Sequence, residues 1–272
     1  TAFWESLTVP EMPPRVSWAI ARMGNSKRAS SLTLTSVNNR CVGYISTIST
    51  PATTLRGSGA KLVAMPDHAV DSLDALRALY PPVLERARLK TQYKLDRHCR
   101  AFIEKSPFLT LSTQGPEGAD VTPRGDAPGF VHILDDVTLA VPDWRGNNRL
   151  DSLTNILANP QVGLLFFVPG VQETLRVNGT ALITTDPAII ERWTVNGNHP
   201  ATALVITVRE AFLHCGKAVI RSRLWQDDYK SALPPYGHML KDQIEVPDTA
   251  EAMQASIEDA YKTCLLYTSP SP

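Results

Sequence analysis

The stretch TPRGDAPGFVHILDDVTLAVPDWRGNNRLDSLTNILAN (Thr122–Asn159) largely decides how the chain folds. Alternating apolar residues predict one strand at Phe130–Leu134 and another at Val137–Val141. Asp135-Asp136 lies between them and predicts a tight reversal. A loop, Pro142–Asn148, follows the second strand. The stretch is therefore a β-hairpin that continues through a loop into a helix.

The start of this helix, near Arg149, is also the best functional clue in the sequence. Free N–H groups at a helix N-terminus bind anions well, and phosphate prefers charge-assisted donors. The basic and polar residues of this region are Arg124, Arg145, Asn147, Asn148, Arg149 and Ser152. They predict an anion-binding site, although a solvated loop with ordinary helix-start residues would have a similar composition.

Short β-rich segments lie on both sides of the hairpin. They are Phe108–Thr113, Ala119–Thr122, Val162–Val168, Glu173–Thr184 and Ala203–Cys215. Asn178-Gly179 in the middle of a long strand suggests a bulge. The spacing predicts a mainly β (α+β) fold, a closed or partly closed antiparallel barrel of six or seven strands with peripheral helices.

Helical periodicity predicts the remaining elements. A helix capped by Asp67 or Asp71 ends at Pro81-Pro82, and a second helix is expected from about Val83 to Lys105. Further helices are expected after the Asp186-Pro187 cap and over Asp248–Lys262, and a short helix or turn is expected over Gly216–Arg223.

Both ends of the chain differ from the middle. Residues 1–64 hold seven basic and two acidic residues (+5), and the remaining 20 basic and 25 acidic residues give −5. We expect 1–64 to be an unstructured extension, either translated non-coding sequence before Met65 or a transit peptide. Residues 265–272 are expected to be a non-native tail, which leaves 65–264 as the folded domain.

Composition and motif spacing exclude several classes of protein. The net charge of zero does not favour nucleic acid, and no apolar run is long enough for a membrane helix. The four cysteines are widely spaced and no metal-ligand spacing of histidines occurs, so no metal site is expected. The GxSxG, GxGxxG and GxxxxGK(S/T) motifs are absent.

A second basic group follows the last predicted strand. Lys217 and Arg221 are four residues apart and would share one helical face, with His214 and Arg223 on either side. Ordinary surface charge is an equally good interpretation, but the two basic groups could meet in space, for example across a dimer.

Four longer segments carry a resemblance to a known family. They are PRGDAPGFVHILDD (123–136), VTLAVPDWRGNNRLDSLTNIL (137–157), VGLLFFVPGVQETLRVNGTALIT (162–184) and FLHCGKAVIRSRLW (212–225). They resemble the pyridoxamine 5′-phosphate oxidase-like, FMN-binding split-barrel proteins, in particular an uncharacterised bacterial-type branch. The resemblance spans about Leu73 to Ile244 and implies a six-stranded antiparallel split β-barrel.

The resemblance also implies a homodimer with FMN at the subunit interface. The resemblance implies that the FMN phosphate is bound by Arg124, Asn148, Arg149 and Ser152. Glu173 and Thr174 correspond to the region that touches the flavin ring or ribityl chain. His214, Lys217 and Arg221 belong to a block particular to this branch, and we expect them to bind an anionic small-molecule substrate.

Two departures from the oxidase pattern indicate that this chain does not oxidise pyridoxamine phosphate. No Arg-x-His element follows Trp225, and RGDAPGFV replaces the oxidase sequence before the hairpin. The expected function is therefore an FMN-dependent oxidoreductase of unknown substrate, located in the cytoplasm or, if 1–64 is a transit peptide, in an organelle. An FMN storage protein and a haem-binding split barrel remain as alternatives.

Overall fold

The structure is a computed structural model that describes residues 68–268. The predicted extension, 1–64, and the last four residues lie outside the described residues. The final helix continues as far as Thr268, so its backbone includes the first four residues of the predicted tail.

One antiparallel sheet of seven strands forms the centre of the fold. Its strands are β1 (Phe108–Gly115), β2 (Gly118–Gly125), β3 (His132–Ile133), β4 (Thr138–Asp143), β5 (Gln161–Phe167), β6 (Thr174–Thr184) and β7 (Thr202–His214). The order across the sheet is β2-β1-β5-β6-β7-β4-β3. The predicted antiparallel α+β fold with peripheral helices is confirmed. The seven strands agree with the six or seven that the spacing predicts and exceed by one the six that the resemblance implies. The short strand β3, which pairs with β4, is part of this count.

Burial alternates along the strands because successive side chains point to opposite faces. The buried face includes Leu111 of β1, Leu164 and Phe166 of β5, and Val177 of β6. Covering a side chain of this size stabilises the fold by about 1.5–3 kcal/mol. The main core therefore lies within the curved sheet.

The sheet has two free edges, β2 and β3. The edge on the β3 side is short, because β3 covers only Leu139–Ala140 of β4. At the uncovered end of β4, the carboxylate of Asp143 meets the guanidinium of Arg124 from β2 at 3.3 Å. This ion pair joins the strand ends across the opening.

Eight α-helices occur among residues 68–268. They are α1 (Leu73–Ala78), α2 (Glu85–Leu89), α3 (Arg97–Lys105), α4 (Asp151–Ala158), α5 (Pro187–Ile190), α6 (Lys217–Ser222), α7 (Tyr236–Gln243) and α8 (Ala250–Thr268). Helix α3 buries Cys99 and Ile103 against the sheet, and α4 buries Ile156. Asp186 caps α5 by accepting a hydrogen bond from the N–H of Ala188, as predicted.

The continuous helix predicted over Val83–Lys105 is wrong. The chain leaves the helix after Leu89, because Gln92 forms a two-way backbone bridge with Ala211 of β7 at 2.9 and 2.8 Å. Helix α3 then starts anew at Asp96, whose carboxylate accepts from the N–H groups of the first turn. Tertiary pairing with β7 outweighs the local helical pattern here.

The predicted bulge at Asn178-Gly179 is confirmed by a shift in the β6–β7 register. Gly179 fits because a Cβ atom there would lie 2.1 Å from the carbonyl oxygen of Thr207. Only glycine allows the two strands to approach this closely.

Candidate functional site

A cavity of about 670 Å³ opens where the sheet is split. The end of β2, the loop after β4, the first turn of α4 and the start of β7 form its walls. The predicted phosphate residues all line it: Arg124, Asn148, Arg149 and Ser152. The structure therefore brings this predicted group together, and Arg145 lines the same cavity.

Arg124 lies on β2 with about four fifths of its side chain covered. Its Nη1 donates to the hydroxyl of Thr122 and to the carbonyl of Pro123, both at 2.9 Å, and Nη2 donates to Asp143 at 3.3 Å. These bonds use both hydrogens of Nη1 and one of Nη2. Within the described residues, Nε and the second hydrogen of Nη2 form no hydrogen bond. The guanidinium is therefore held in place and can still donate to a ligand.

The first turn of α4 has no side-chain cap. Leu150 occupies the N-cap position with φ of 59°, and its side chain cannot accept a hydrogen bond. Asn148 also has a φ of 59°, so the loop turns sharply before the helix. Uncapped N–H groups carry the positive end of the helix dipole and favour an anion.

Arg149 lies on the outer side of this turn and is largely exposed. Its Nε donates to the carboxylate of Asp151 at 2.8 Å, and this bond raises the pKa of Arg149. Its backbone N–H donates to the side chain of Asn147. Because exposed ion pairs are weak, Arg149 can exchange Asp151 for another anion at small cost.

Ser152 is buried, and its hydroxyl already has protein partners. Ser152 Oγ lies 3.1 Å from Thr122 Oγ1 and 3.4 Å from Asp120 Oδ2. The donors therefore follow one direction: Arg124 donates to Thr122, Thr122 to Ser152, and Ser152 to Asp120. This chain ties the first turn of α4 to β2 and holds Arg124 in place.

Other cavity residues were missed by the sequence reasoning. The side chain of Asp143 is partly buried. This burial raises the pKa of its carboxyl, and the charge of Arg124 opposes that rise. The indole Nε1 of Trp144 and the hydroxyl of Thr202 are buried and have no hydrogen-bond partner among the described residues. The position of Asp143-Trp144, at the end of the buried strand β4, is the one signal that could have identified part of this set.

The second predicted group lies at the other end of β7. Thr174 of β6 pairs with His214 of β7. The cavity adjoins Thr202, twelve residues before His214 on β7, so an extended strand would separate these two residues by up to roughly 40 Å. Glu173 precedes Thr174, and Lys217 and Arg221 are exposed on α6 just beyond His214. The structure does not bring these five residues to the cavity within one chain.

Metal and membrane signals are absent from residues 68–268. No three His, Cys, Asp or Glu side chains gather as a metal site, and no helix is long and apolar enough to cross a membrane. Burial raises the pKa of the Cys99 thiol to about 12, which disfavours the thiolate form that reacts.

A family model described as pyridoxamine 5′-phosphate oxidase matches residues 95–215. The match contains the whole sheet, Arg124 and the loop into α4. This match supports the resemblance of the chain to the pyridoxamine 5′-phosphate oxidase-like split-barrel proteins. No curated protein matches it.

Solved structures also resemble this split-barrel chain, at low scores. A variant of HupZ from Group A Streptococcus is 18% identical and covers 44% of this chain and 99% of its own, with a TM-score of 0.38. A protein of the pyridoxinephosphate oxidase family from Clostridium acetobutylicum is 16% identical (43% and 86% covered, TM-score 0.34). An F420 reductase is 22% identical (42% and 94% covered, TM-score 0.30).

Proposed function

We propose that this protein is an FMN-dependent oxidoreductase of the split-barrel family. The observation that carries the proposal is the cavity beside Arg124, where a fixed guanidinium with unused N–H groups meets the uncapped first turn of α4. A phosphate ester accepts hydrogen bonds from both kinds of donor. The cavity also lies inside the segment that the family model matches.

The residues present fit the phosphate end of FMN. Arg124 and Arg149 supply positive charge, and Asn148 and the first N–H groups of α4 supply neutral donors. Ser152 acts by holding α4 and Arg124 together. The unpartnered indole N–H of Trp144 is a further donor in the same wall. FMN, when bound, supplies the hydride or electron transfer, and the chain binds, orients and shields it.

Asp143 gives Arg124 a partner before any ligand binds. Its side chain is about four fifths covered, and burial raises the pKa of its carboxyl while the charge of Arg124 opposes that rise. An incoming phosphate dianion would place more negative charge beside Asp143. We therefore expect phosphate binding to favour protonation of Asp143.

The flavin ring and the substrate are assigned to the group at the far end of β7. Glu173 and Thr174 would contact the ring or ribityl chain, and His214, Lys217 and Arg221 would bind an anionic substrate. Since one chain keeps this group away from the Arg124 cavity, the assignment requires a homodimer in which each chain completes the other's site. Cytoplasmic location is part of the same proposal.

Flavin storage and haem binding are the alternatives that an experiment must separate. The side chains that line the cavity include no His, Cys, Met or Tyr, which are the usual axial ligands of haem iron. The visible spectrum of the purified protein tests this directly. We expect flavin bands, and a Soret band without flavin absorbance would overturn the proposal.

Turnover is tested by stopped-flow reduction of the bound flavin. Reduction by NADH or NADPH supports an oxidoreductase. No reduction by either donor, or by reduced deazaflavin, would instead indicate storage. The Arg149→Ala variant should release FMN more readily than the parent protein, and unchanged FMN affinity would remove Arg149 from the phosphate site.

A further inference from the structure

Two cationic side chains and one imidazole lie around Phe212 near the end of β7. The guanidinium carbon of Arg176 lies 4.5 Å from the centre of the Phe212 ring, and Lys90 Nζ lies 5.1 Å from it. The imidazole of His214 is tilted against the same ring, with the two ring centres 5.1 Å apart. Neither Lys90 nor Arg176 was singled out by the sequence.

Separate parts of the chain build this cluster. The β6–β7 register places Arg176 opposite Phe212 and Thr174 opposite His214. The backbone bridge between Gln92 and Ala211 brings the segment after α2 alongside β7, and Lys90 Nζ then donates to the carbonyl of Leu213 at 2.7 Å. The positions are set by strand pairing and not by chance meetings of flexible side chains.

The positive charges near Phe212 have no ion-pair partner within residues 68–268. Neither Lys90, Arg176 nor His214 takes part in an ion pair there. The acid closest along β7, Glu210, accepts a hydrogen bond from the side chain of Asn178 at 2.7 Å. The pKa of His214 is lowered, first by burial and then by the charges of Arg176 and Lys90.

Arg176 also has an unmet hydrogen bond. Its Nε atom is buried and has no partner among the described residues. A buried donor without an acceptor destabilises a fold, and a charged one does so more strongly. An acceptor with negative charge would satisfy this donor and reduce the repulsion between Arg176 and Lys90 at once.

We propose that Lys90, Arg176 and His214 form a binding site for a small oxyanion, the phosphate or carboxylate group of a small molecule. The planar fork of Arg176 matches the paired oxygens of such a group. Lys90 adds a mobile charge from the exposed side, and His214 becomes a second donor when it is protonated. The site is separate from the Arg124 cavity and does not depend on FMN for its geometry.

The imidazole of His214 reports on this site. We would measure its pKa by NMR during titration with inorganic phosphate or acetate, at constant ionic strength set with sodium chloride. A nearby opposite charge favours the protonated ring, so saturation should raise the pKa of His214 by about one unit. The anion that saturates at lower concentration assigns the ligand class. His199, whose ring contacts its own neighbour Pro200, serves as the reference histidine.

The Lys90→Gln and Arg176→Gln variants test the assignment. Each should weaken the anion response of His214 by about tenfold or more, since each removes a charged donor. Lys90 is exposed, so its replacement should leave the fold intact even if Arg176→Gln does not. An equal shift at His199, no shift at His214, or an unchanged response in Lys90→Gln would overturn the proposal.

The Arg124→Gln variant distinguishes this site from the FMN proposal. It should lose flavin affinity and keep the anion response of His214. A protein that binds FMN normally but shows no anion response at His214 refutes only the oxyanion site. A protein that shows the response but binds no flavin refutes only the FMN proposal.

Discussion

Replacement of Ser152 by alanine tests the hydrogen-bond chain that connects α4 to the cavity. Ser152 is 3% exposed, and its hydroxyl bonds to Thr122 at 3.1 Å and to Asp120 at 3.4 Å. A buried hydrogen bond contributes about 0.5–1.5 kcal/mol net, and the longer of these two contributes at the lower end of that range. Alanine recovers up to about 0.5 kcal/mol of helix propensity.

The expected net loss is about 0.5–1.5 kcal/mol, which for a domain of this size lowers Tm by about 1–6 °C. Urea unfolding monitored by tryptophan fluorescence should show a lower midpoint with an unchanged slope. Thr154→Ala is the matched control, because Thr154 is exposed on the same helix. If Ser152→Ala unfolds at the same midpoint as Thr154→Ala, the hydrogen-bond chain does not stabilise the fold.

A double-mutant cycle isolates the contact itself. Thr122→Val removes the acceptor for Arg124 and the partner of Ser152 with little change in volume. When Ser152→Ala and Thr122→Val are combined, the total loss should be smaller than the two separate losses together, because both remove the same bond. Strict additivity would contradict the direct contact.

Two further predictions concern stability. In the urea unfolding assay, Gly179→Ala should lower the free energy of unfolding by about 1–3 kcal/mol, since the new Cβ would lie 2.1 Å from the carbonyl of Thr207. Gly146→Ala is the control, because its new Cβ meets open space and should leave the free energy of unfolding almost unchanged. Burial lowers the pKa of His132 and His214 below the ordinary value of 6.5, so the stability of the folded protein that depends on their neutral rings is complete above pH 6.5 and is lost as the pH falls through the folded-state pKa. The His214→Gln variant should flatten this part of the curve of unfolding free energy against pH, and an unchanged curve would contradict the shift at His214.

Strand periodicity and turn residues predicted most of the fold. β5 and β6 were predicted to within a residue or two, because alternating or continuous apolar residues between Gly, Pro and Asn leave few other options. The Asn178-Gly179 bulge was predicted for the same local reason. β3 shrank to two residues, because pairing with β4 determines its length and the local sequence does not show that limit.

The failures at Gln92 and Lys90 are long-range, whereas the cap of the first helix, predicted at Asp67 or Asp71, is a local error because Ser72 caps α1. The end of α2 is set by the pairing of Gln92 with Ala211, more than a hundred residues away, and nothing near Gln92 signals it. The same pairing brings Lys90 to Phe212, which is why the oxyanion cluster was missed. The cavity group was predicted better, since Asn148, Arg149 and Ser152 are consecutive or nearly so and only Arg124 had to be brought from another strand.

The central claim is that Arg124 holds an FMN phosphate, and FMN affinity measures it most directly. Titration of apoprotein with FMN, followed by quenching of flavin fluorescence, should show saturable binding to the parent protein. Arg124→Gln should weaken this affinity by about ten- to hundredfold, the equivalent of one charge-assisted hydrogen bond. Arg209→Gln, which removes an exposed arginine bonded to Gln161 on another part of the sheet, should bind FMN as the parent does. Equal affinities in the parent and Arg124→Gln, or no FMN binding by the parent, would contradict the account.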